Sequence, residues 1–238
     1  LYNPPELVVR EPLATKEFLN FSADEIGDEA IIGGIDRHKT IEPPSEMKLS
    51  ENLVIPSRPE TVAWFGDWLE DRPLVIEVGS GKGRFLTELA AKRPDVRFLG
   101  FETRLGLCEV VLKRSSKAGL ENVAMAWGDA RVNIPLLVKP ATAIEAYLLF
   151  PDPWWKKRHA RRRHGPAMSK AVADALIPGG IFVIKSDIPE YLDSMVATFT
   201  NTGDWRDAPV PQDLPLTDRQ SRISFQGTNS FAYAFYRI

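Results

Sequence analysis

The chain has 238 residues, 44% of them hydrophobic and 26% charged, with a formal net charge of -2. This is the composition of a soluble globular chain with room for one domain and an appendage, and it excludes a globally basic nucleic-acid binder, so any such footprint must be a local patch. One cysteine, Cys108, excludes an intramolecular disulfide or a cysteine-rich zinc site, three histidines argue against another metal centre, and no apolar run reaches membrane-spanning length; a reducing cytoplasm without membrane contact is expected.

The first fifty residues hold ten carboxylates, from Glu6 to Glu46, against five Lys or Arg, with several prolines and short apolar groups of no sustained period. Residues 1–56 therefore read as an irregular acidic, proline-rich extension with space for a short strand or two, and 57–238 as the main domain. The opening Leu1-Tyr2-Asn3-Pro4-Pro5-Glu6 lacks the charged and apolar regions of a signal peptide, and the missing methionine predicts a leader or further N-terminal residues ahead of it, which leaves targeting open. Val62, Ala63, Phe65, Trp68 and Leu69 recur at helical spacing, predicting a helix over Pro59–Leu69 that ends at Asp71, Arg72 and Pro73.

Alternation then begins. Leu74–Val78 is a short apolar strand, 79–83 a glycine-rich loop, and Arg84–Lys92 a helix with Phe85, Leu86, Leu89 and Ala90 on one side, stopped by Pro94. Strands are predicted at 97–101, Val123–Trp127 and 144–150, with a helix at 105–118 that places Cys108 in the core. After a basic loop come a helix at 168–176, a turn at Pro178, Gly179 and Gly180, a strand at 181–185, a helix at 189–199 and a last alternating strand, Phe231–Arg237. Strands separated by helices argue for an α/β fold: a doubly wound, mostly parallel Rossmann-like sheet with helices on both faces and an antiparallel C-terminal edge strand.

In such a sheet, ligands bind beyond the C-terminal strand ends. Gly79, Gly81 and Gly83, after Glu77 on the first strand, allow positive φ and close backbone approach. Their Gly-x-Gly-x-Gly spacing departs from the dinucleotide fingerprint and lacks the Walker lysine-serine ending. Glu102 ends the next strand about twenty residues on, where a carboxylate takes two ribose hydroxyls. Asp129, followed by Ala130, ends the third, where an acceptor suits the exocyclic amine of an adenine. Singly, each acid has a plainer explanation: Glu77 as a hydrogen-bond partner of the loop, Glu102 or Asp129 as a helix N-cap.

Residues 150–163 place Asp152, two indoles and six fixed positive charges after the fourth strand. Lys156, Lys157, Arg158, Arg161, Arg162 and Arg163 suit phosphates, Trp154 and Trp155 offer faces for a base, and Asp152 accepts from a base edge. The competing reading is a solvated loop whose tryptophans pack into the domain, Trp154 more deeply. Pro151 and Pro153 fix the backbone on either side of Asp152 and aim its short side chain. His159 and His164 read as phosphate neighbours or surface residues.

Strand-end acids in these three places resemble class I S-adenosylmethionine-dependent methyltransferases. With Phe150-Pro151-Asp152-Pro153-Trp154 and the Lys, Arg and His that follow, the chain resembles the bacterial tRNA (guanine-N7-)-methyltransferases, the TrmB family, from about Leu74 to the C-terminus. Residues 76–86, 98–102 and 128–130 are similar to that family's first three motifs, residues 186–191 to its segment with a substrate-contacting aspartate, and Thr217, Asp218, Arg219 and Gln220 to its Thr-x-x-Glu stretch. The resemblance implies S-adenosyl-L-methionine as cofactor, N7 methylation of the variable-loop guanine at tRNA position 46, a cytoplasmic enzyme, and a monomer or homodimer. Carried over, Glu77, Gly79, Gly81, Gly83, Glu102, Asp129, Ala130 and Asp152 serve the cofactor. Lys156, Arg158, Asp187, Thr217, Asp218, Arg219 and Gln220 serve the substrate, and Asp152 is the candidate catalytic group. Gln220 replaces the family glutamate, and the arginine-rich N-terminal segment of relatives is not evident.

N7 of guanine carries a lone pair and no proton, so transfer needs no general base. Orientation then dominates, worth roughly 7–11 kcal/mol in favourable cases. Asp152 either stabilises the cationic methylated ring, reads guanine N1 and N2, or contacts the methionine amino group. Alternatives are a same-fold methyltransferase acting on another RNA or a protein, and a non-catalytic RNA-binding relative.

Overall fold

The computed structural model describes residues 8–9, 52–69, 72–153 and 164–238. In chain order the elements are β1 (Val8–Val9), β2 (Leu53–Val54), α1 (Pro59–Leu69), β3 (Leu74–Val78), α2 (Arg84–Lys92), β4 (Arg97–Glu102), α3 (Leu105–Lys117), β5 (Val123–Trp127), α4 (Ala130–Leu137), β6 (Ala143–Leu149), α5 (Pro166–Ala175), β7 (Leu176–Ser186), α6 (Pro189–Thr200), β8 (Trp205–Ala208), α7 (Asp218–Phe225) and β9 (Phe231–Arg237).

The strands form one nine-stranded sheet of order β1-β9-β7-β6-β3-β4-β5-β2, with β8 also pairing β9. β3 is buried along its whole length, as a central parallel strand covered on both faces must be. The neighbours from β2 across to β7 pair parallel, and β9 lies antiparallel to β7. The expected doubly wound sheet and antiparallel last strand are thus present, with β8 and the two-residue β1 continuing the sheet outside β9. Leu53, Val54 and Ile55 are buried, so the sheet reaches back past the expected boundary at 56.

Two apolar layers cover the sheet. Leu74, Ile76, Leu99, Leu148 and Phe182 pack with residues of α1, α4, α5 and α6, while Val75, Phe98, Met125, Tyr147 and Val183 pack with residues of α2 and α3. Alternate residues of each strand serve opposite layers, which is the period-2 consequence of the pleat. Phe182 anchors an aromatic group with Phe199, Trp205 and Phe235 at centroid distances of 5.6, 5.4 and 6.2 Å. The predicted turn at Pro178, Gly179 and Gly180 lies inside β7: pairing with β6 passes from Ala143↔Leu176 to Glu145↔Ile181, so the extra residues bulge while the strand continues.

The position of the site follows from topology. After β5 the chain returns across β3 to begin β6, so the strand order reverses between β3 and β6. A crevice opens beyond the strand ends at such a reversal.

Candidate active site

Three adjacent strand ends are laced together. The N–H groups of Gly79 and Ser80 both donate to the Phe101 carbonyl, at 2.8 and 3.1 Å, and that of Gly128 donates to the Glu102 carbonyl at 3.0 Å. The Glu102 carboxylate closes the lacing: it accepts from the Gly81 N–H at 3.1 Å and the Arg104 N–H at 3.0 Å. Gly79, Gly81 and Gly83 have φ of 75°, 55° and 74°, the left-handed region that the sequence reading assigned to them. Gly83 has a second constraint, because a Cβ there would lie 2.6 Å from Val111. Gly100, beneath the loop on β4, is equally tight: a Cβ would meet Ser80 Oγ at 2.5 Å and Met125 Sδ at 2.6 Å.

Glu77 lies under this loop, 3% exposed, with Oε2 buried and without a hydrogen-bond partner. Burial pushes its pKa up to about 8, against the Ser80 hydroxyl and with the help of the Glu102 and Asp218 carboxylates. A buried carboxyl within electrostatic reach of two other carboxylates is short of positive charge. A cationic group beside a nucleotide-like moiety fits that deficit, and the left-handed glycines leave backbone free to approach it. The floor is rigid: Tyr147, the Cα partner of Glu77 on β6, donates to Glu145 at 2.8 Å, and Arg93 pairs with Glu145 at 2.8 Å.

Asp129 is both site residue and cap. Its side chain accepts from the Arg131 N–H at 3.0 Å at the start of α4, and the Arg131 guanidinium engages both of its oxygens. Burial works against ionisation, yet those hydrogen bonds and the Arg131 charge hold its carboxyl below the usual carboxylate range. An incoming amine must share Asp129 with Arg131. His164, expected at the surface or beside phosphate, instead has a buried Nδ1 with no hydrogen-bond partner. Burial, with the Arg131 charge, pulls it down to about 4, opposed by Asp129.

Across the strand reversal the site opens. Phe150, just past β6, has φ 55° and is pinned by its N–H to the Lys185 carbonyl at 2.8 Å. A bulky residue in that region is strained, and the strain redirects the chain into Pro151 and an exposed Asp152. Asp187, just past β7, pairs with Arg219 of α7. Thr217 caps α7 by accepting from the Gln220 N–H at 2.8 Å. Gln220 Nε2 donates to Ser230 at 3.5 Å, while its Oε1 is buried with no partner. Asp218 faces Arg114 at 3.9 Å, and Arg84 of α2 donates to Ser221 at 2.6 Å. The expected residues on β3, β4, β5, β6 and β7 and on α7 therefore gather at one end of the sheet. Lys156 and Arg158, with the rest of 154–163, lie outside the described residues.

Three participants escaped the sequence reading. Arg84 and Arg114, which tie α7 down, carry no signal beyond ordinary helix polarity. Lys185 is 3% exposed on β7, and a lysine inside the apolar run Ile181-Phe182-Val183-Ile184 was the available clue. Among the described residues no helix is long and apolar enough to cross a membrane, and no three His, Cys, Asp or Glu gather to hold a metal.

The family described as "Putative methyltransferase" matches residues 71–230. The tRNA (guanine-N(7)-)-methyltransferase of Myxococcus xanthus is 35% identical over 141 residues, 59% of this chain and 68% of that protein. The protein of the same description from Thermosynechococcus vestitus is 29% identical over 223 residues, 89% of this chain and 99% of the relative. Among solved structures, an antibiotic-related methyltransferase covers 82% of this chain and 97% of its own at 19% identity, with a TM-score of 0.56, a likeness of fold.

Proposed function

This chain belongs to that methyltransferase family, and from this premise we propose that it transfers the methyl group of S-adenosylmethionine to N7 of a guanine in tRNA. The observation that carries the reading is the convergence of Glu77, Gly79–Gly83, Glu102 and Asp129 at three laced strand ends, beside Asp152 and Asp187 just past the next two strands. When bound, the cofactor supplies an electrophilic sulfonium methyl. Glu77 suits its cationic methionine end, Glu102 the ribose hydroxyls, and Asp129 with the start of α4 the adenine edge. Names of the curated relatives support guanine N7 of tRNA as the acceptor.

The chain's own residues then bind and orient. Asp152, exposed on a proline-bracketed turn, accepts from the acceptor base and opposes the positive charge that grows on the ring. Asp187 and the capped start of α7 line the acceptor side, where they hold substrate rather than move protons. Lys156, Arg158 and the neighbouring arginines neutralise phosphates. Replacing Arg161, Arg162 and Arg163 with Ala is expected to flatten the salt dependence of tRNA binding by about one slope unit per residue.

The deciding experiment is transfer of labelled methyl from the cofactor to unmodified tRNA, followed by nucleoside analysis. The expected product is 7-methylguanosine. Another methylated nucleoside, or methylated protein, moves the chain to a different acceptor, and tRNA binding without transfer makes it a non-catalytic RNA-binding relative.

A further inference from the structure

Lys185 is a charged side chain in a place that ordinarily rejects one. It occupies the penultimate position of β7, 3% exposed, with Leu149 on β6 and Ala232 on β9 as its Cα partners. Strand alternation puts it on the face of Val183, which packs with Tyr147, Leu149 and Ala232. Its ammonium makes no ion pair or hydrogen bond among the described residues: Asp187, two residues on, is taken by Arg219. Burial draws its pKa down to about 8. A lysine whose stem is buried in an apolar layer and whose ammonium has no partner among the described residues is placed to meet one that arrives from outside.

Its position says where that partner arrives. Lys185 holds the turn that presents Asp152, because its carbonyl takes the Phe150 N–H at 2.8 Å. Glu77 and Lys185 lie on the same face, separated by β6. Two strand spacings put them about 10 Å apart laterally. If Glu77 held the methionine end of the cofactor, the neighbouring ends of β6 and β7, where Lys185 stands, would be left for the acceptor.

We propose that Lys185 donates a hydrogen bond to O6 of the acceptor guanine and so selects guanine over adenine. This rests on the reading of the chain as a guanine N7 methyltransferase. A guanine entering the site brings donors at N1 and N2, which the acceptor-only carboxylates of Asp152 and Asp187 can meet, and an acceptor at O6, which they cannot. An ammonium only donates. Adenine has an amino group where guanine has O6, so Lys185 would set donor against donor. The repulsion between Lys185 and the methylated ring is countered by Asp152, and a lysine amine donates in either protonation state.

The test is a cycle that pairs Lys185→Met with a change of the O6 atom. Single-turnover methyl transfer is measured for wild type and variant on tRNA carrying guanine or 6-thioguanine at the acceptor position. Thioguanine keeps N7, N1–H and the 2-amino group but offers a weak acceptor. Wild type should slow on the order of 10-fold or more on thioguanine, and Lys185→Met should slow similarly on guanine but lose little more on thioguanine. Cofactor affinity, measured by calorimetry, should stay within about two-fold, and the thermal midpoint should not fall, since Met keeps the buried apolar stem and removes a charge with no partner among the described residues. If Lys185→Met does not fold, Lys185→Gln enters the same cycle as a neutral donor and should show part of the same coupling. Losses that simply multiply, or a loss confined to cofactor affinity, overturn the proposal while leaving the methyltransferase reading intact. A wild-type protein that forms no 7-methylguanosine on guanine-containing tRNA overturns both.

Discussion

The two halves of the site are built differently. On the side of β3, β4 and β5, backbone hydrogen bonds between neighbouring loops fix the arrangement, and the acids Glu77 and Glu102 are 3% and 6% exposed. On the side of β6, β7 and α7, Asp152 is exposed, and α7 is held by side-chain contacts to Asp187, Arg84 and Arg114, with Ile223 its one buried residue. A small cofactor of constant shape suits a preformed cleft. A large polyanion suits a surface whose groups adjust through polar ties.

Several changes break or sharpen that contrast. Asp152→Ala attacks the open half at its chemical centre and should reduce methyl transfer by about 10²–10³-fold or more while tRNA affinity, measured by filter binding, stays nearly unchanged. Equal loss of both would make Asp152 a binding residue. Gly100→Ala attacks the closed half from below, since its Cβ would lie 2.5 Å from Ser80 Oγ and 2.6 Å from Met125 Sδ. Overpacking there should cost about 1–3 kcal/mol in denaturant unfolding and weaken cofactor binding.

Glu77→Gln separates charge from shape in the closed half. The folded-state pKa of Glu77 is raised to about 8 from 4.5, so the cofactor-free folded protein holds an extra proton between those values and loses stability as pH rises through that window. The Gln variant lacks that loss. Its thermal midpoint should exceed that of the wild type by roughly 2–8 °C near pH 8 and by little near pH 5. Cofactor binding to wild type should release a proton, read from calorimetry in buffers of different ionisation enthalpy, and the variant should release none from this site. The smallest effect on stability is expected from Arg219→Ala, because the Asp187–Arg219 pair is partly exposed: about 0–1 kcal/mol in unfolding. Its KM for tRNA should rise nonetheless, and an unchanged KM would make the pair purely structural.

The strands from β3 to β7 are legible in the sequence because buried parallel strands are short apolar runs between turn signals, and the acids are legible because they end or directly follow those runs. The sequence reading missed α4, whose residues include Pro135, and α7, whose face toward the protein buries Ile223 alone and leaves no helical period to detect. Thr217 is a good N-cap residue and accepts from the Gln220 N–H, which explains why a polar helix begins there. His164 is half-exposed, but its Nδ1 is buried near the Asp129–Arg131 pair, a neighbourhood that a histidine after a basic run does not announce.

The chain by itself determined the alternation of strands and helices from β3 to β7 apart from α4, the positive-φ glycines and the identity of the strand-end acids, because local spacing and backbone stereochemistry fix those without reference to distant residues. Only the tertiary structure decided that Glu77 is buried with one oxygen unpartnered, that Arg131 shares Asp129, that α7 is tied across to α2 and α3, and that Lys185 has no counter-charge among the described residues. Each of these depends on which groups meet across the sheet after folding, and burial and electrostatic pairing are properties of that meeting rather than of any stretch of sequence.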